Sequence, residues 1–482
     1  MDKRLFFIVL MIFLLIIYYI YVLFPVSMMD FPVSNNGEVL IHGERVIELS
    51  EEIAEKVWVS YNRYLSRKPY DPGLFAWGIQ YEIRSYVLLY KITNDLKWLL
   101  RAVKRCDYLV RYSDVNGDGI PSWGNYNSTY GNDRYASEGY REFSVWDGVI
   151  STALLDVSQT ILDDPRLREN ETLFCRAMEY LDVSRRVVEH YRDAWTSVSD
   201  GGYYWDSPRE DVVGPIVNRF SALGIAEIKL YEIAGDDSYL ERPRAMAMFL
   251  KNRLRYVDGC YVWTYRLSVD VTSFKGYEDI SHGAIDLEFM LLSYRYGLVF
   301  NGTDIERLTC TYTKYIWLGF SFRPHLATRV SGEYTADYVP YSRNWIMLSE
   351  VNLVIWLFQW YALNDHDIMY NACYLQGLLQ LLSYYPRIGK VIESFVNYTK
   401  VIINKGVVKY SLSSFYVESL VDKAIKQFEN GDVEEAYRTL IYVNFIVEKV
   451  QRYFFVEVVS LLLIILLLFY ILVGYLRSEK NV

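Results

Sequence analysis

The sequence predicts a mostly helical protein whose helices come in pairs, with the pairs arranged around a ring or an arc. Three observations predict this class. Apolar residues recur at helical spacing between about residues 49 and 385, and the turns within each pair are short. The connections between pairs are much longer, roughly 20 to 30 residues, and they always precede the first helix of a pair. We therefore expect the long connections to gather on one face.

Five pairs are predicted, and a single helix, Ser50–Ser66, precedes them. The first helices begin near residues that recur at intervals of 63 to 69, which is typical of repeated helical hairpins whose first helices line the inside. These marker residues are Trp77, Trp146, Pro215, His282 and Trp345. The predicted pairs are Trp77–Thr93 with Asp95–Tyr112, Phe143–Leu162 with Arg168–Arg192, Ile216–Ala234 with Asp237–Leu254, Ser281–Tyr296 with Asp304–Leu318, and Asn344–Leu363 with Asp365–Tyr384.

The composition excludes a nucleic-acid-binding protein and favours one with a polar ligand. The chain has 482 residues, of which 52% are hydrophobic, so it can form a large core. Its net charge of -9 argues against phosphate binding, which requires an excess of Lys and Arg. The 45 Tyr and 12 Trp exceed the needs of a core, because each buried Tyr hydroxyl must find a partner. Many of them are therefore expected to face a groove or a ligand.

Two terminal segments are predicted to cross a membrane. Phe6–Phe24 contains no charged residue, and Val458–Leu476 is rich in Leu and Ile; both are long enough to span the bilayer. A cleaved signal peptide is the alternative for the first segment, but the residues that follow it form a poor cleavage site. Lys3 and Arg4 precede the first span, and no Lys or Arg follows it until Arg45. Both termini are therefore expected in the cytoplasm, with the central domain outside the cell membrane.

Four parts follow from this organisation. They are an N-terminal anchor at 1–29, an external helical domain at 30–385, a helical stalk or hairpin at 386–457, and a C-terminal span with its tail at 458–482. Four N-x-[ST] triplets and all five cysteines lie between the two spans, as expected of an external glycoprotein. The lipid bilayer is thus one expected partner, while the disulfide pairing and the oligomeric state stay open.

The segment Gly276–Glu288 contains the strongest candidates for catalysis. Glu278, Asp279 and His282 fall within five positions at the start of a predicted inner helix. A helix N-terminus lowers acid pKa values and favours anions, and a histidine exchanges protons near neutral pH. Glu278 or Asp279 is therefore predicted as a general acid or base, with His282 as its proton-transfer partner. The alternative is that Asp279 caps the helix and His282 packs against a neighbour.

A second group of candidates lies in Gly332–Trp345, before the fifth inner helix. Tyr338, Tyr341 and Arg343 are predicted to take part in catalysis. The neighbouring Glu333 and Asn344 are predicted to bind substrate. A packed, tyrosine-rich loop is the alternative interpretation of this segment.

Further substrate-binding residues are predicted at equivalent places in the other repeats. Trp faces stack on sugar rings, carboxylates bind hydroxyl groups, and an Arg suits an acidic sugar. Alternatively, each Trp packs between neighbouring hairpins. The predicted residues are Trp77, Trp146, Asp147, Trp205, Asp206 and Arg219.

Over residues 49 to 385 the chain resembles the alpha/alpha-toroid superfamily, which includes six-hairpin glycosidases, polysaccharide lyases and uronate epimerases. The resemblance depends on the helical pairs and on the Glu-Asp-x-x-His-Gly motif at Glu278–Gly283. It implies an all-α, (α/α) toroid of five to six hairpins that acts on an extracellular glycan. A polysaccharide lyase or uronate C5-epimerase using His, Tyr and acid groups is the first expectation. A glycoside hydrolase with paired carboxylates, and a non-catalytic glycan-binding or cell-envelope scaffold, are the alternatives.

The segment Asp114–Pro121 resembles the start of a calcium-binding loop. Asp114, Asn116 and Asp118 supply oxygens at the first, third and fifth positions, and Gly119 follows at the sixth. The twelfth position is Asn125 instead of the usual bidentate Glu. A structural calcium ion is therefore predicted, with an Asx-rich turn as the alternative.

Overall fold

A computed structural model describes residues 43–126, 139–206, 215–267, 276–320, 323–366, 368–384, 394–401, 414–430, 435–436 and 438–448. The chain divides into a larger unit, Asn36–Leu318 with Leu326–Tyr385, and a smaller unit, Met1–Asn35 with Gly319–His325 and Pro386–Val482. Both predicted membrane spans lie outside the described residues, so they stay predictions. Among the described helices, none combines the length and the apolar character that a membrane crossing requires.

The larger unit is built mainly of helices, with two short antiparallel hairpins. The strands are β1 (Trp195–Val198) with β2 (Gly201–Tyr204), and β3 (Arg255–Val257) with β4 (Cys260–Val262). Short helical turns occur at Pro72–Leu74, Phe75–Ile79, Pro165–Arg168, Tyr191–Ala194, Tyr312–Ile316 and Val339–Tyr341. The longer helices are α1 (Gly43–Leu65), α2 (Gln80–Thr93), α3 (Leu96–Arg111), α4 (Ser144–Asp163), α5 (Glu171–His190), α6 (Val217–Ala234), α7 (Ser238–Lys251), α8 (Ile280–Arg295), α9 (Gly302–Thr311), the 3₁₀ helix Arg343–Glu350, α10 (Leu353–Asp365) and α11 (Ala372–Ser383).

Local sequence explains where several helices begin and end. The Asp95 side chain accepts a hydrogen bond from the first turn of α3, and Asn170 does the same for α5. Asn301 and Asp304 form a capping box at the start of α9. Gly235 ends α6 in the left-handed region, at a φ of 68°, where a residue without Cβ is favoured. Asn170 and Asn301 belong to N-x-[ST] triplets, and both of their side chains are engaged in these caps.

Six elements form a closed inner ring: α2, α4, α6, α8, the 3₁₀ helix Arg343–Glu350 and α11. Each packs against the next, and α11 packs against α2. The outer partners, in the same order, are α3, α5, α7, α9, α10 and α1. The inner helices α4, α6 and α8 are buried along nearly their whole length, as expected of helices packed on all sides. The larger unit is therefore an (α/α) toroid of six hairpins.

The predicted fifth pair was wrong in its boundaries and in its placement. Asn344–Leu363 is two elements, since the 3₁₀ helix ends at Glu350 and Asn352 caps α10. The predicted outer helix Asp365–Tyr384 contains α11, which belongs to the inner ring. Its outer partner is α1, from the other end of the unit. The continuous apolar run around residues 353–363 gives no sign of the break between the 3₁₀ helix and α10. A helix that is buried on all sides also lacks the apolar periodicity that would show whether it is an inner or an outer helix.

A chain of polar contacts crosses the interior of the ring and links all six inner elements. Arg84 on α2 binds Asp156 on α4 through Nε at 2.9 Å, and Glu288 on α8 through Nη2 at 2.5 Å. Lys229 on α6 lies 2.7 Å from the other oxygen of Asp156. Asn344 donates to Glu288 at 2.8 Å and accepts from Gln380 on α11 at 2.8 Å. We call these residues the axial network: Arg84, Asp156, Lys229, Glu288, Asn344 and Gln380.

Close packing and one disulfide also hold the larger unit together. A Cβ added to Gly148 on α4 would lie 2.6 Å from the backbone carbon of Ala222 on α6, so the two helices approach more closely than a side chain would allow. Cys260 on β4 and Cys310 on α9 form a disulfide. Cys106 and Cys373 are buried free thiols, and Cys175 is an exposed one.

The described part of the smaller unit is also helical. It contains α12 (Ser414–Glu429), which lies inside the predicted helix 412–430, and helical segments at 394–401 and 438–448. Asn444 donates a 2.8 Å hydrogen bond to the Thr399 hydroxyl, and the Glu448 carboxylate accepts one from the Phe320 backbone at 3.0 Å. In the Asn397 triplet, Asn397 is exposed and Thr399 is buried, whereas the Asn127 triplet lies outside the described residues.

Candidate active site

A cavity of about 610 Å³ lies where the six inner elements begin. Every inner element contributes to its wall, either from its first turn or from the turn just before it. The prediction that these N-terminal ends share one face is therefore confirmed. The lining residues are Trp77, Tyr81, Phe143, Val145, Trp146, Asn218, Arg219, Tyr265, Asp279, Ser281, His282, Tyr338, Tyr341, Arg343 and Cys373.

Asp279 and His282 form a hydrogen-bonded pair in the cavity wall. One Asp279 oxygen accepts the backbone N–H groups of Ser281 and His282 at 2.9 and 3.0 Å, which caps α8. The other oxygen lies 2.6 Å from His282 Nδ1. Burial alone would raise the pKa of Asp279, but these hydrogen bonds and the His282 ring hold it below its usual value. Asp279 therefore caps α8 and also pairs with the His282 side chain. This pairing uses Nδ1, so Nε2 is the other nitrogen of the His282 ring.

Aromatic rings enclose the exposed side of His282. The Trp77 ring lies edge-on to the imidazole at 5.9 Å, and the Tyr265 ring lies 5.5 Å away. Tyr338 and Tyr341 contact each other at 5.7 Å in another part of the wall. About 33% of the His282 side chain is exposed, so a ligand in the cavity has access to it.

Glu278 lies behind this wall. Its surroundings raise the pKa of its carboxyl group, whereas the pKa of Asp279 is lowered. Glu278 is fully buried, and Oε1 accepts the Asp279 backbone N–H at 3.0 Å. Burial, together with the nearby carboxyl of Asp286, raises the pKa of Glu278 well above its usual value. Burial also raises the pKa of Asp286 to about 8, although Asp286 accepts the indole N–H of Trp263 at 2.9 Å. A protonated acid therefore stands directly beside the ionised Asp279.

Two arginines enter the cavity wall, and they differ in their partners. Arg219 forms an ion pair with Asp206, which lies behind the wall. Arg343 donates to the Tyr81 hydroxyl and, at 3.2 Å, to the Tyr341 backbone carbonyl, and its guanidinium lies over the Tyr81 ring at 4.0 Å. The two cations thus occupy different electrostatic environments.

Eight of the predicted site residues line the cavity: Trp77, Trp146, Arg219, Asp279, His282, Tyr338, Tyr341 and Arg343. The remaining predicted residues, Glu278, Asp147, Trp205, Asp206, Glu333 and Asn344, are not among its lining residues.

The residues outside the wall have other contacts. Asp147 is fully buried and accepts hydrogen bonds from the Trp123 backbone and the Tyr191 hydroxyl, both at 2.8 Å. Trp205 donates to the Thr196 hydroxyl at 2.8 Å, inside the first β-hairpin.

Glu333 and Asn344 also face away from the cavity. Glu333 is a surface residue that pairs with Arg329 at 3.4 Å, and Asn344 belongs to the axial network. The predicted catalytic role of Glu278 and the predicted substrate binding by Asp147, Trp205, Asp206, Glu333 and Asn344 stay predictions.

The sequence did not single out several residues of the wall. Tyr81 follows Trp77 by four residues, so helical spacing from that marker would have found it. Cys373 was missed because α11 was assigned to the outer ring. Tyr265 lies in a connection without a repeated motif, and no sequence signal places it beside His282.

The predicted calcium loop has the geometry of an Asx-rich turn. The Asp114 and Asp118 carboxylates accept backbone N–H groups from Gly119 and Ile120 at 3.1 and 2.9 Å. Asn116 donates its amide N–H to Asp118 at 2.8 Å, and the Oδ1 atom of Asn116 takes no part in that hydrogen bond. Calcium binding stays a prediction.

Calcium is expected to raise the melting temperature of the protein by a few degrees. Replacing Asp118 with Ala is expected to remove most of that gain, because it removes a charged ligand from the centre of the loop. Melting curves with calcium, magnesium and a chelator measure this. Identical melting of the unmodified chain in calcium and in chelator would rule calcium out.

No known protein family matches the sequence, and no curated protein is significantly similar to it. Among solved structures, the GH76A α-1,6-mannanase of Salegentibacter sp. HEL1_6 is 14% identical, with a TM-score of 0.47 over 70% of this chain and 98% of the mannanase. An inactive variant of it, in complex with α-1,6-mannotriose, gives 14% identity and a TM-score of 0.48 over the same shares. The family 76 glycoside hydrolase Bt3792 of Bacteroides thetaiotaomicron is 13% identical, with a TM-score of 0.37 over 65% of this chain and 69% of the hydrolase.

Proposed function

We propose that this chain is a carbohydrate-active enzyme that hydrolyses glycosidic bonds in the cavity at the start of the inner ring. The observation that carries this proposal is the arrangement of Glu278, Asp279 and His282. The pKa of Glu278 is raised, that of the neighbouring Asp279 is lowered, and the His282 imidazole lies 3.8 and 2.6 Å from their carboxyl oxygens. Aromatic rings of the type that stack on sugars surround the exposed member of the group.

Hydrolysis of a glycosidic bond requires one group that donates a proton and one that accepts it. The lowered pKa of Asp279 keeps this carboxyl ionised, and the raised pKa of Glu278 keeps that one protonated. Groups whose environments push their pKa values apart are suited to acid and base roles. His282 Nδ1 lies 2.6 Å from Asp279 and 3.8 Å from Glu278. Proton transfer among the three groups therefore needs only small movements.

Each residue then has a distinct role. Asp279 fixes the His282 ring through Nδ1, so that Nε2 exchanges a proton with the substrate or the attacking water. Asp279 itself faces the cavity and stabilises positive charge on His282 or on the sugar. Glu278 holds a proton behind them and replenishes the pair. Trp77, in the turn before α2, and Trp146, in the first turn of α4, bind sugar rings by stacking.

Product analysis on a polysaccharide panel tests the proposal. The purified full chain is incubated with neutral and acidic polysaccharides. The panel includes α-1,6-mannan, because two of the similar structures described above are α-1,6-mannanases. Hydrolysis should release new reducing ends without unsaturated sugars. If no member of a broad panel is cleaved while several are bound, the chain is a glycan-binding protein and the proposal is wrong.

A polysaccharide lyase or uronate C5-epimerase is the second candidate, and a specific observation favours it. The Asp279–His282 pair shares the cavity with Tyr265 and with the buried Arg343. An elimination needs a base for the C5 proton, an acid for the leaving oxygen and a cation for the uronate carboxylate. His282, Tyr265 and Arg343 match these needs by residue type. Unsaturated products from an acidic polysaccharide would establish this candidate in place of hydrolysis.

We further propose that the central domain lies outside the cell membrane, with both termini in the cytoplasm. The Cys260–Cys310 disulfide supports this, since disulfides persist mainly in oxidising compartments. Protease added to intact cells is expected to cleave between Asp30 and Lys449 while epitope tags at both termini stay protected. A tag that is digested from outside would contradict this topology.

A further inference from the structure

Building on the proposed function, we infer that the substrate is an acidic glycan, and that Arg343 binds a carboxylate of one of its sugars. This inference names the class of substrate, which the Glu278, Asp279 and His282 arrangement leaves open. It depends on contacts of Arg343 that the hydrolysis proposed above does not use.

Arg343 is a buried cation whose described contacts include no acid. Only 2% of the residue is exposed, and its partners are the Tyr81 hydroxyl and the Tyr341 carbonyl, both uncharged. Its Nε–H is buried and has no hydrogen-bond acceptor among the residues that the structure describes. An arginine cannot lose its proton, so the charge persists inside the protein. A buried charge without a counter-charge is costly, which is the expected state of a site whose counter-charge arrives with the ligand.

Other buried arginines in the described residues have their own carboxylates, which makes Arg343 an exception. Arg105 pairs with Glu82 at 2.7 Å, and Arg253 pairs with Asp200 at 2.8 Å. Arg219, the second arginine of the cavity wall, pairs with Asp206. The chain thus neutralises buried guanidinium groups by pairing them, except where the group lines the cavity at Arg343.

A second unused polar atom lines the same cavity. Asn218 is only 1% exposed, and within the described part of the chain no donor reaches its buried Oδ1. An amide oxygen accepts a hydrogen bond from a sugar hydroxyl, just as a guanidinium donates to a carboxylate. Arg343 and Asn218 begin different inner elements, so both reach the cavity from its rim. A uronic acid carries both of the groups that these two atoms bind, a carboxylate and several hydroxyl groups.

The geometry around Arg343 favours a planar anion. The Tyr81 ring covers one face of the guanidinium at 4.0 Å and holds the plane in place. A planar guanidinium matches the two oxygens of a carboxylate, and the Tyr81 contact limits how far this one can move. The Asp279 carboxylate in the same wall is hydrogen-bonded to the His282 ring.

The test compares oligosaccharides that differ only in charge. Oligomers of galacturonate, glucuronate and mannuronate are each paired with their carboxyl-reduced form, in which every carboxylate has become a CH₂OH group. Calorimetry with the full chain is expected to show that at least one acidic oligomer binds at least tenfold more tightly than its reduced partner, the usual effect of a charge-assisted hydrogen bond. Arg343→Gln should abolish this difference, and Arg343→Lys should keep part of it.

The outcomes separate this inference from the proposed function. If the unmodified chain binds no acidic oligomer more tightly than its reduced partner, the inference is overturned, whereas hydrolysis of a neutral glycan would leave the proposed function intact. If an acidic oligomer is preferred and Arg343→Gln keeps the preference, the carboxylate binds elsewhere and the assignment to Arg343 is wrong. Should Arg343→Gln fail to fold, the comparison in the unmodified chain and in Arg343→Lys still decides the matter.

Discussion

Replacing His282 with alanine is expected to lower the rate of glycan cleavage by a factor of about 100 to 10,000, the usual effect of removing a proton-transfer group. The melting temperature should stay within about a degree or two. The ring is partly exposed, and its side-chain hydrogen bond is to Asp279 alone among the described residues. Removing the ring leaves the backbone bonds that cap α8, because those use the other Asp279 oxygen.

Steady-state kinetics and thermal melting of the same preparations measure this effect. Ser281→Ala, in the same turn, is the matched control, because the contact of Ser281 with Asp279 is through its backbone N–H. Asp279→Asn adds a second comparison, since an amide still caps the helix but cannot stabilise a charged imidazole. Full activity in a folded His282→Ala protein would move the chemistry to another part of the cavity. Unfolding of that variant would instead identify His282 as a structural residue.

The second large effect is expected on stability, from Arg84→Met. This change should lower the free energy of unfolding by about 3 to 5 kcal/mol, the usual loss when one partner of a buried ion pair is removed. Arg84 lies between Asp156 and Glu288, which would both lose a positive neighbour inside the ring. Burial alone would lower the pKa of Arg84, but the Glu288 and Asp156 carboxylates raise it above its ordinary value, so the charge is retained in the folded state. The loss should therefore persist across the neutral pH range.

Chemical denaturation of the purified chain measures the change. Lys56→Met is the matched control, because Lys56 makes a comparable pair with Glu52 on the surface, at 2.6 Å, where water and salt weaken it. This control should unfold at nearly the same denaturant concentration as the unmodified chain. If Arg84→Met behaves like Lys56→Met, the axial network does not contribute to stability.

Periodicity was sufficient to predict most of the hairpins, because the information that forms a helix is local. The caps at Asp95 and Asn301 are readable in the same way. The sixth hairpin was not predictable by this route. It pairs α1 with α11, from opposite ends of the unit, and only three-dimensional packing brings these two helices together.

The site was predicted at the level of segments but not always at the level of single residues. The starts of the inner helices do meet at one cavity, as the long connections indicated. Consecutive residues there nevertheless point in different directions: Trp146 lines the cavity while Asp147 is buried behind it, and Asp279 lines it while Glu278 does not. Side-chain direction in the first turn depends on the cap and on neighbouring helices, which one sequence does not reveal.

The central claim is hydrolysis at the cavity, and cleavage in water enriched in heavy oxygen tests it most directly. A hydrolase inserts the oxygen of water into the broken glycosidic bond, so mass spectrometry should find one heavy oxygen atom in one of the two new products. The same reaction in ordinary water is the control. The His282→Ala variant should yield little product in either kind of water. Products that carry no heavy oxygen but contain an unsaturated sugar would contradict hydrolysis and identify the chain as a lyase.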